Sequence, residues 1–247
     1  MTMNGKRLRK LATAGLAGTV VLALASACNV GDGQGSATGT LNVTDCWSGK
    51  FDLQPDFFGA TPFGDTLQFR IQRGSDLMNF SDGLSLLVTD AARVRSDLLG
   101  KPLGVALPAE VSPPGVPVKA TADPALVQFS LYLQRSCRPE VPALYAVTEA
   151  TTNADGSCDA ATVALAKDCS ATTTTKKSTI TFQHLFNGIP EEPDADKRLS
   201  EATFDVYLAD PRETCPGGLG PPPPCRGHIT GAFRFYFTRG RPAQAFP

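Results

Sequence analysis

The sequence is short of the residues and motifs that most often carry chemistry. It contains no G-x-S-x-G element, no C-x-x-C pair and only two histidines, His184 and His228. Without the first, a serine nucleophile has no strand-to-helix elbow to sit on. Without the second, the usual ligand spacing of a structural zinc site is missing. The most glycine-rich stretch of the body of the chain, Gly217-Gly218-Leu219-Gly220, runs into Pro221 to Pro224 and not into a Lys at a helix start, so it cradles no phosphate. A Ser-His-Asp arrangement would have to use one of the two histidines. His184 shares strand parity with Ile180 and Phe182 and reads as a partly buried structural residue, while His228 falls on a polar face at the start of the last strand. Neither has a partner visible in the sequence. Glu-, Lys- and Leu-rich stretches are few and the prolines number 20, which argues against a helical bundle.

What is present begins with an export signal. Lys6, Arg7, Arg9 and Lys10 make a positive n-region, and Leu11 to Leu24 is an uncharged run of mostly Leu, Ala, Gly and Val. That run is shorter than the ~20 residues of a permanent membrane-spanning helix. Small residues, Ala25-Ser26-Ala27, and Cys28 follow. Residues 1–27 therefore read as a secretory signal peptide, outside the folded domain.

The stretch Leu24-Ala25-Ser26-Ala27-Cys28 resembles the lipobox of bacterial lipoproteins. In that family the cysteine thiol receives a diacylglycerol and the cysteine becomes the new N-terminus. The match departs from the family in one place: Leu usually stands three residues before the cysteine, where this chain has Ala25. Ala25 and Ala27 also fit an ordinary A-x-A cleavage site. Cysteine parity favours the lipobox. The chain has 7 cysteines, and an exported protein with an odd count leaves one thiol over. With Cys28 lipidated, the remaining six can pair. Asn29 to Gly39, rich in Gly and small polar residues, reads as a flexible tether over 28–39. In the same family an Asp directly after the cysteine commonly means inner-membrane retention; Asn29 therefore implies the outer membrane.

Removing the four basic residues of the signal from the total of 23 leaves 19 against 24 acidic ones. A net acidic chain offers no electrostatic case for nucleic acid or anionic lipid. Residues 40–247 suit one domain of β-sandwich size. Strand-like alternation is clear where Leu67, Phe69 and Ile71 interleave with Gln68, Arg70 and Gln72. It recurs at Val127, Phe129, Leu131 and Leu133, at Phe204, Val206 and Leu208, and at Ile229, Phe233, Phe235 and Phe237. Weaker strand patterns cover Leu41 to Cys46, Leu84 to Thr89, Tyr145 to Ala150 and Thr179 to Phe186. Turn signals stand at Thr61-Pro62-Phe63-Gly64-Asp65, Ser112-Pro113-Pro114-Gly115 and Asn153-Ala154-Asp155-Gly156. A helix fits Asp90 to Leu99, with Ala91, Val94 and Leu98 on one side and Gly100 at its end, and a second fits Asp159 to Ala166. The expectation is an all-β fold: an antiparallel β-sandwich of about eight strands, one or two short helices and up to three disulfides.

Six cysteines allow fifteen pairings. Short loops favour Cys158 with Cys169 and Cys215 with Cys225, which leaves Cys46 with Cys137 as a long-range staple. Among the aromatics, Trp47 beside Cys46 reads first as a residue packed near a disulfide and second as a binding anchor. Tyr207 and Tyr236 fall on polar faces and are further candidates for a binding surface. The acidic run Glu191-Glu192-Pro193-Asp194-Ala195-Asp196 reads as a solvated hairpin loop; it lacks the spaced ligands of a calcium loop.

Beyond the lipobox, the chain loosely resembles lipoproteins of GC-rich bacteria such as myxobacteria in overall style, which implies no activity. The reading is an exported, lipid-anchored protein with a non-catalytic binding or structural role in the cell envelope. Its expected partner is an envelope protein or glycan, with no cofactor and no metal. Two alternatives from other classes stay open: a hydrolase of an extracellular polymer using paired carboxylates, and a calcium-stabilised adhesin-like domain.

Overall fold

The computed structural model describes residues 29–74, 81–105, 126–138, 143–147, 149–153, 158, 174–189, 191–213 and 224–237. The first half contributes β1 (Asn29–Val43), β2 (Trp47–Leu53), β3 (Phe57–Phe63), β4 (Thr66–Gln72) and β5 (Asp82–Val88). A short helix α1 (Ala91–Arg93), continued by a wider helical turn over Val94–Leu98, leads to β6 (Leu103–Gly104). The second half holds β7 (Val127–Leu133), β8 (Leu144–Ala146), β9 (Glu149–Thr152), β10 (Thr174–Lys177), β11 (Thr179–His184), β12 (Leu199–Ala209) and β13 (Gly227–Phe237). The second expected helix, Asp159 to Ala166, and the turn at Ser112 lie outside the described residues.

The all-β antiparallel expectation holds, but the sheet is continuous. Among the described residues eleven strands join one sheet, and a path of hydrogen-bonded neighbours runs β13-β1-β3-β4-β5-β7-β8-β12 and returns from β12 to β13. In place of two separate sheets, one sheet curls until its ends meet. β2 adds to β1 beyond β3, while β11 and β6 extend from β12.

Phenylalanine fills the interior because alternate residues of each strand point there. Phe69 of β4 meets Phe182, Phe233 and Phe235 with ring centroids 6.4, 6.3 and 6.1 Å apart. Phe129 lies 5.1 Å from Phe204, and Phe186 stacks on Phe237 at 3.9 Å. The tilted and edge-on arrangements around Phe69 and Phe129 are among those favoured by ring quadrupoles. Asp90 caps α1 by accepting from the Arg93 amide, Ala91 and Val94 are buried, and Gly100 turns the chain with φ +74°. That is the helix the apolar spacing called for.

The expected tether is instead the larger part of the longest strand, whose 15 residues run from Asn29 to Val43. β1 is paired with β13 from Gly31↔Phe237 to Leu41↔Gly227. Its glycines are space-makers. A Cβ on Gly33 would strike Phe235, one on Gly39 would strike the His228 carbonyl, and one on Gly35 would come within 3.3 Å of Phe58. Asn29 to Gly39 therefore belong to the fold, which does not start at residue 40.

Two further expectations change. Tyr145 to Ala150 is not one strand. The chain leaves β8, bonds Val147 N–H to the Tyr207 carbonyl, and enters β9, which pairs with β10 as a separate ribbon. The local disulfides also fail. Cys46–Cys137 is present, with Cα atoms 5.3 Å apart, but Cys158 is bonded to Cys225 and their Cα atoms lie 5.4 Å apart. The cause is the ribbon: Cys225 N–H donates to the Thr151 carbonyl, so β9 carries the following Cys158 to the start of β13. Cys169 and Cys215 lie outside the described residues.

Gly33→Val and Gly39→Val are each expected to lower folding stability by about 1–3 kcal/mol, the usual cost of overpacking. Thr38→Val, outward on the same strand, is expected to stay within about 0.5 kcal/mol of the parent. Urea denaturation reads all three; equal, negligible effects would mean that 29–39 is a tether. For the staples, non-reducing peptide mapping is expected to recover the Cys158 peptide joined to that of Cys225. Loss of that bridge should cost about 2–4 kcal/mol.

Candidate functional site

The sheet built by β12, β13 and β1 turns its second face outward, and every other residue of those strands lies on it. Register sets the rows. Tyr207 faces His228, which faces Thr40; Asp205 faces Thr230, which faces Thr38; Glu201 faces Arg234, which faces Gln34. Hydroxyl and charged side chains thus tile this surface.

His228 is the best-defined group on it. Its Nε2 lies 2.7 Å from Asp205 Oδ1, and its ring stacks on Tyr207 with centroids 4.2 Å apart and planes 3° apart. The sequence reading left His228 without a partner because the partner is diagonal across a strand pair, and only register reveals it. Chemically, a carboxylate on one imidazole nitrogen orients a base. Among the described residues the hydrogen-bond partner of the ring is Asp205.

The sequence-chosen aromatics separate. Tyr207 is buried, only 6% exposed, not on an open polar face. The β9–β10 ribbon covers the Tyr207 end of that face, and Tyr207 packs with Val147, Ala150, Ala209 and Cys225 in a second small core. Burial pushes its phenol pKa up, with the Asp205 charge acting in the same direction. Tyr236 lies near the other end of β13, where Arg234 sits over its ring at 5.1 Å and donates to its hydroxyl. Arg234 also donates to Glu201 at 3.2 Å. Trp47 stands at the far end of β1, half-buried against the core, edge-on to Phe51 at 5.7 Å, with its N–H donated to the Lys50 carbonyl. The three do not form one site.

His184 is exposed instead of partly buried. A bulge between Phe182 and His184 shifts the register against β12, so the residue that shared parity with Phe182 is turned to the other side.

Two polar clusters lie away from this face. At the end of β12, Arg226 pairs with Glu213, their side chains only 10% and 17% exposed, and Arg212 pairs with Asp210. Burial opposes ionisation of Asp210, yet hydrogen bonds from the Arg212 side chain and backbone, with the charges of Arg212 and Arg226, hold its carboxyl below its ordinary value. On the opposite half of the sheet Tyr132 lies over Gly83 and donates to Gln72 Oε1 at 2.8 Å, with Arg70 5.3 Å from its ring centroid. Desolvation raises the Tyr132 phenol to about 12; Arg70 lowers it and Asp82 raises it further.

The acidic run uses its carboxylates locally. Glu192 accepts from the Asn187 side chain and the Asp194 amide, and Asp194 accepts from the Asp196 amide. Among the described residues no three His, Cys, Asp or Glu side chains gather to hold a metal ion. The chain matches no known family model, no curated protein and no solved structure.

The raised Tyr132 phenol makes a pH prediction. Its contribution is complete below pH 10, the ordinary phenol value, and is lost as pH rises to about 12, because the unfolded chain releases the proton first. The melting-temperature gap between the parent and Tyr132→Phe is therefore expected to close over that range. Absorbance at alkaline pH should show one of the 4 tyrosines ionising last.

Proposed function

We propose that the protein is an exported lipoprotein, held to the outer membrane through Cys28, whose β-domain has a non-catalytic binding or structural role in the cell envelope. The observation that carries this reading is the pair of disulfides, Cys46–Cys137 and Cys158–Cys225, which suit an oxidising compartment. Further facts support it. The described strands all follow Cys28, so cleavage at the lipobox would leave them intact, and with Cys28 lipidated the other six cysteines of the chain are an even number. No described helix is long and apolar enough to cross a membrane.

The binding role is assigned to the outward face of β12, β13 and β1. Its hydroxyl rows and the Glu201–Arg234–Tyr236 cluster offer donors, acceptors and an aromatic edge. Such a surface suits an envelope glycan or a polar protein partner. The carboxylates nearest it are each already engaged, Asp205 by His228 and Glu201 by Arg234.

Membrane fractionation with intact-mass analysis tests the anchor. The parent is expected to sediment with membranes and to start at a diacylglyceryl Cys28, while Cys28→Ser is expected in the soluble fraction. A soluble parent with an unmodified Cys28 at its N-terminus would show ordinary A-x-A cleavage and defeat the reading.

A further inference from the structure

The closed sheet has two unlike ends. At the end where β1 starts, the chain leaves β3 through Phe63, crosses by α1 and the turn to Leu99, and passes from β11 to β12 through Ile189. Phe63, Leu99 and Ile189 are the large hydrophobic residues left exposed among those described, at 52%, 38% and 55%. Single exposed apolar side chains are common on any protein. Here all three share one end. Hydrogen bonds fix this arrangement. Ala91 N–H donates to the Asp65 carbonyl, and Gly100 N–H donates to the Phe182 carbonyl, so α1 and its continuation lie across this end. Gly188 lies against Pro62, which brings the Ile189 loop beside the Phe63 hairpin.

The same end is where the chain enters the fold. Asn29 pairs with Ala60, three residues before Phe63. Cys28 is the residue before Asn29 in the sequence. An acyl chain on Cys28 would hold this end within a residue or two of a lipid surface.

We infer that the Phe63–Leu99–Ile189 end is a membrane-facing surface that rests in the interface of a zwitterionic bilayer. The inference rests on the lipid-anchor reading. The partner is a bilayer because the lipid on Cys28, the residue before Asn29 in the sequence, would tether this end to one. It is zwitterionic because the neighbouring charge is acidic on balance. Asp65, Asp90, Asp97 and the Glu191–Asp196 loop outweigh Arg93, Arg95, Lys101, Lys197 and Arg198 at this end. Those carboxylates would be repelled by anionic headgroups.

The lone tryptophan supplies an internal control. Trp47 pairs with Val43 at the opposite end of β1, and 15 residues at about 3.3 Å each separate the two ends by roughly 40–50 Å. The test uses lipidated protein in phosphatidylcholine vesicles whose acyl chains carry bromine, a fluorescence quencher. Phe63→Trp and, in a second protein, Ile189→Trp each add one reporter at an exposed position. The expected result is loss of the added emission with Trp47 emission unchanged, and weaker loss when anionic lipid is mixed in. Vesicle-bound protein whose added tryptophan is as unquenched as Trp47 would overturn the surface while leaving the anchor intact. If that protein also crosslinks to itself through position 63, the patch belongs to a second copy. Protein that carries no lipid on Cys28 and does not float with vesicles would instead overturn the anchor reading.

Discussion

The pairing of β1 with β13 is the constraint on which the rest of the structure depends. β13 carries Phe233, Phe235 and Phe237 into the interior, and β1 lies beside it along eleven paired positions. Next to these phenylalanines there is no room for a side chain at Gly33, where a Cβ would strike Phe235, and little at Gly35. The conflict is resolved by placing Gly33 and Gly35 opposite Phe235 and Phe233, with Ala37 and Gly39 continuing opposite Gly231 and Ile229. Without that complement β1 leaves β13, the ring of strands loses the link that joins β13 to β3, and the inner Phe cluster opens to water. A glycine-rich segment is ordinarily a poor strand, since it gives up much backbone entropy and adds no side-chain burial of its own. Its stability comes from the partner, which fills the space it leaves.

That dependence explains what the sequence could and could not disclose. Strands that bury their own large residues were legible: β4, β7, β12 and β13 alternate as their residues predict. The helix at Asp90 was legible for the same reason, its cap and apolar spacing being local. β1 was misread because its alternation is of absence. Gly33, Gly35 and Gly39 occupy the inward parity and Asp32, Gln34, Thr38 and Thr40 the outward one, so the period is two but the inward residues have no bulk. Composition sees flexible linker, whereas the facing strand sees room. Tyr207 was misread by a related limit. Parity did put it on the outer side of β12, but a second layer, the β9–β10 ribbon, covers that side, and no local pattern announces a second layer.

The candidate site was less legible than the fold, because it is made by register. Asp205 and His228 are 23 positions apart and meet only since β12 and β13 pair with Thr230 opposite Asp205 and Tyr207 opposite His228. A slip of one residue would send each side chain to the other face. The disulfides divide along the same line. Cys46–Cys137 followed by elimination, but Cys158–Cys225 depends on where the ribbon docks. Loop length alone favoured the short closures, and tertiary placement overrode it.

The polarity of the closed sheet follows from where the strong interactions were placed. Both described disulfides lie toward the end where β1 finishes, as does the Arg226–Glu213 pair, and the Asn42 amide donates to the Arg226 carbonyl. That end is held by covalent and ionic links. The other end is closed by a short helix, a loop whose carboxylates cap their own backbone, and apolar side chains left facing out. A lone domain in water would gain by exchanging Phe63 and Ile189 for polar residues, since each exposed apolar surface is hydrated at a cost. At the proposed lipid interface the same residues would contribute to binding, and the covalently linked end would face away from the membrane. Under that proposal the strand that completes the core also sets which end meets the bilayer.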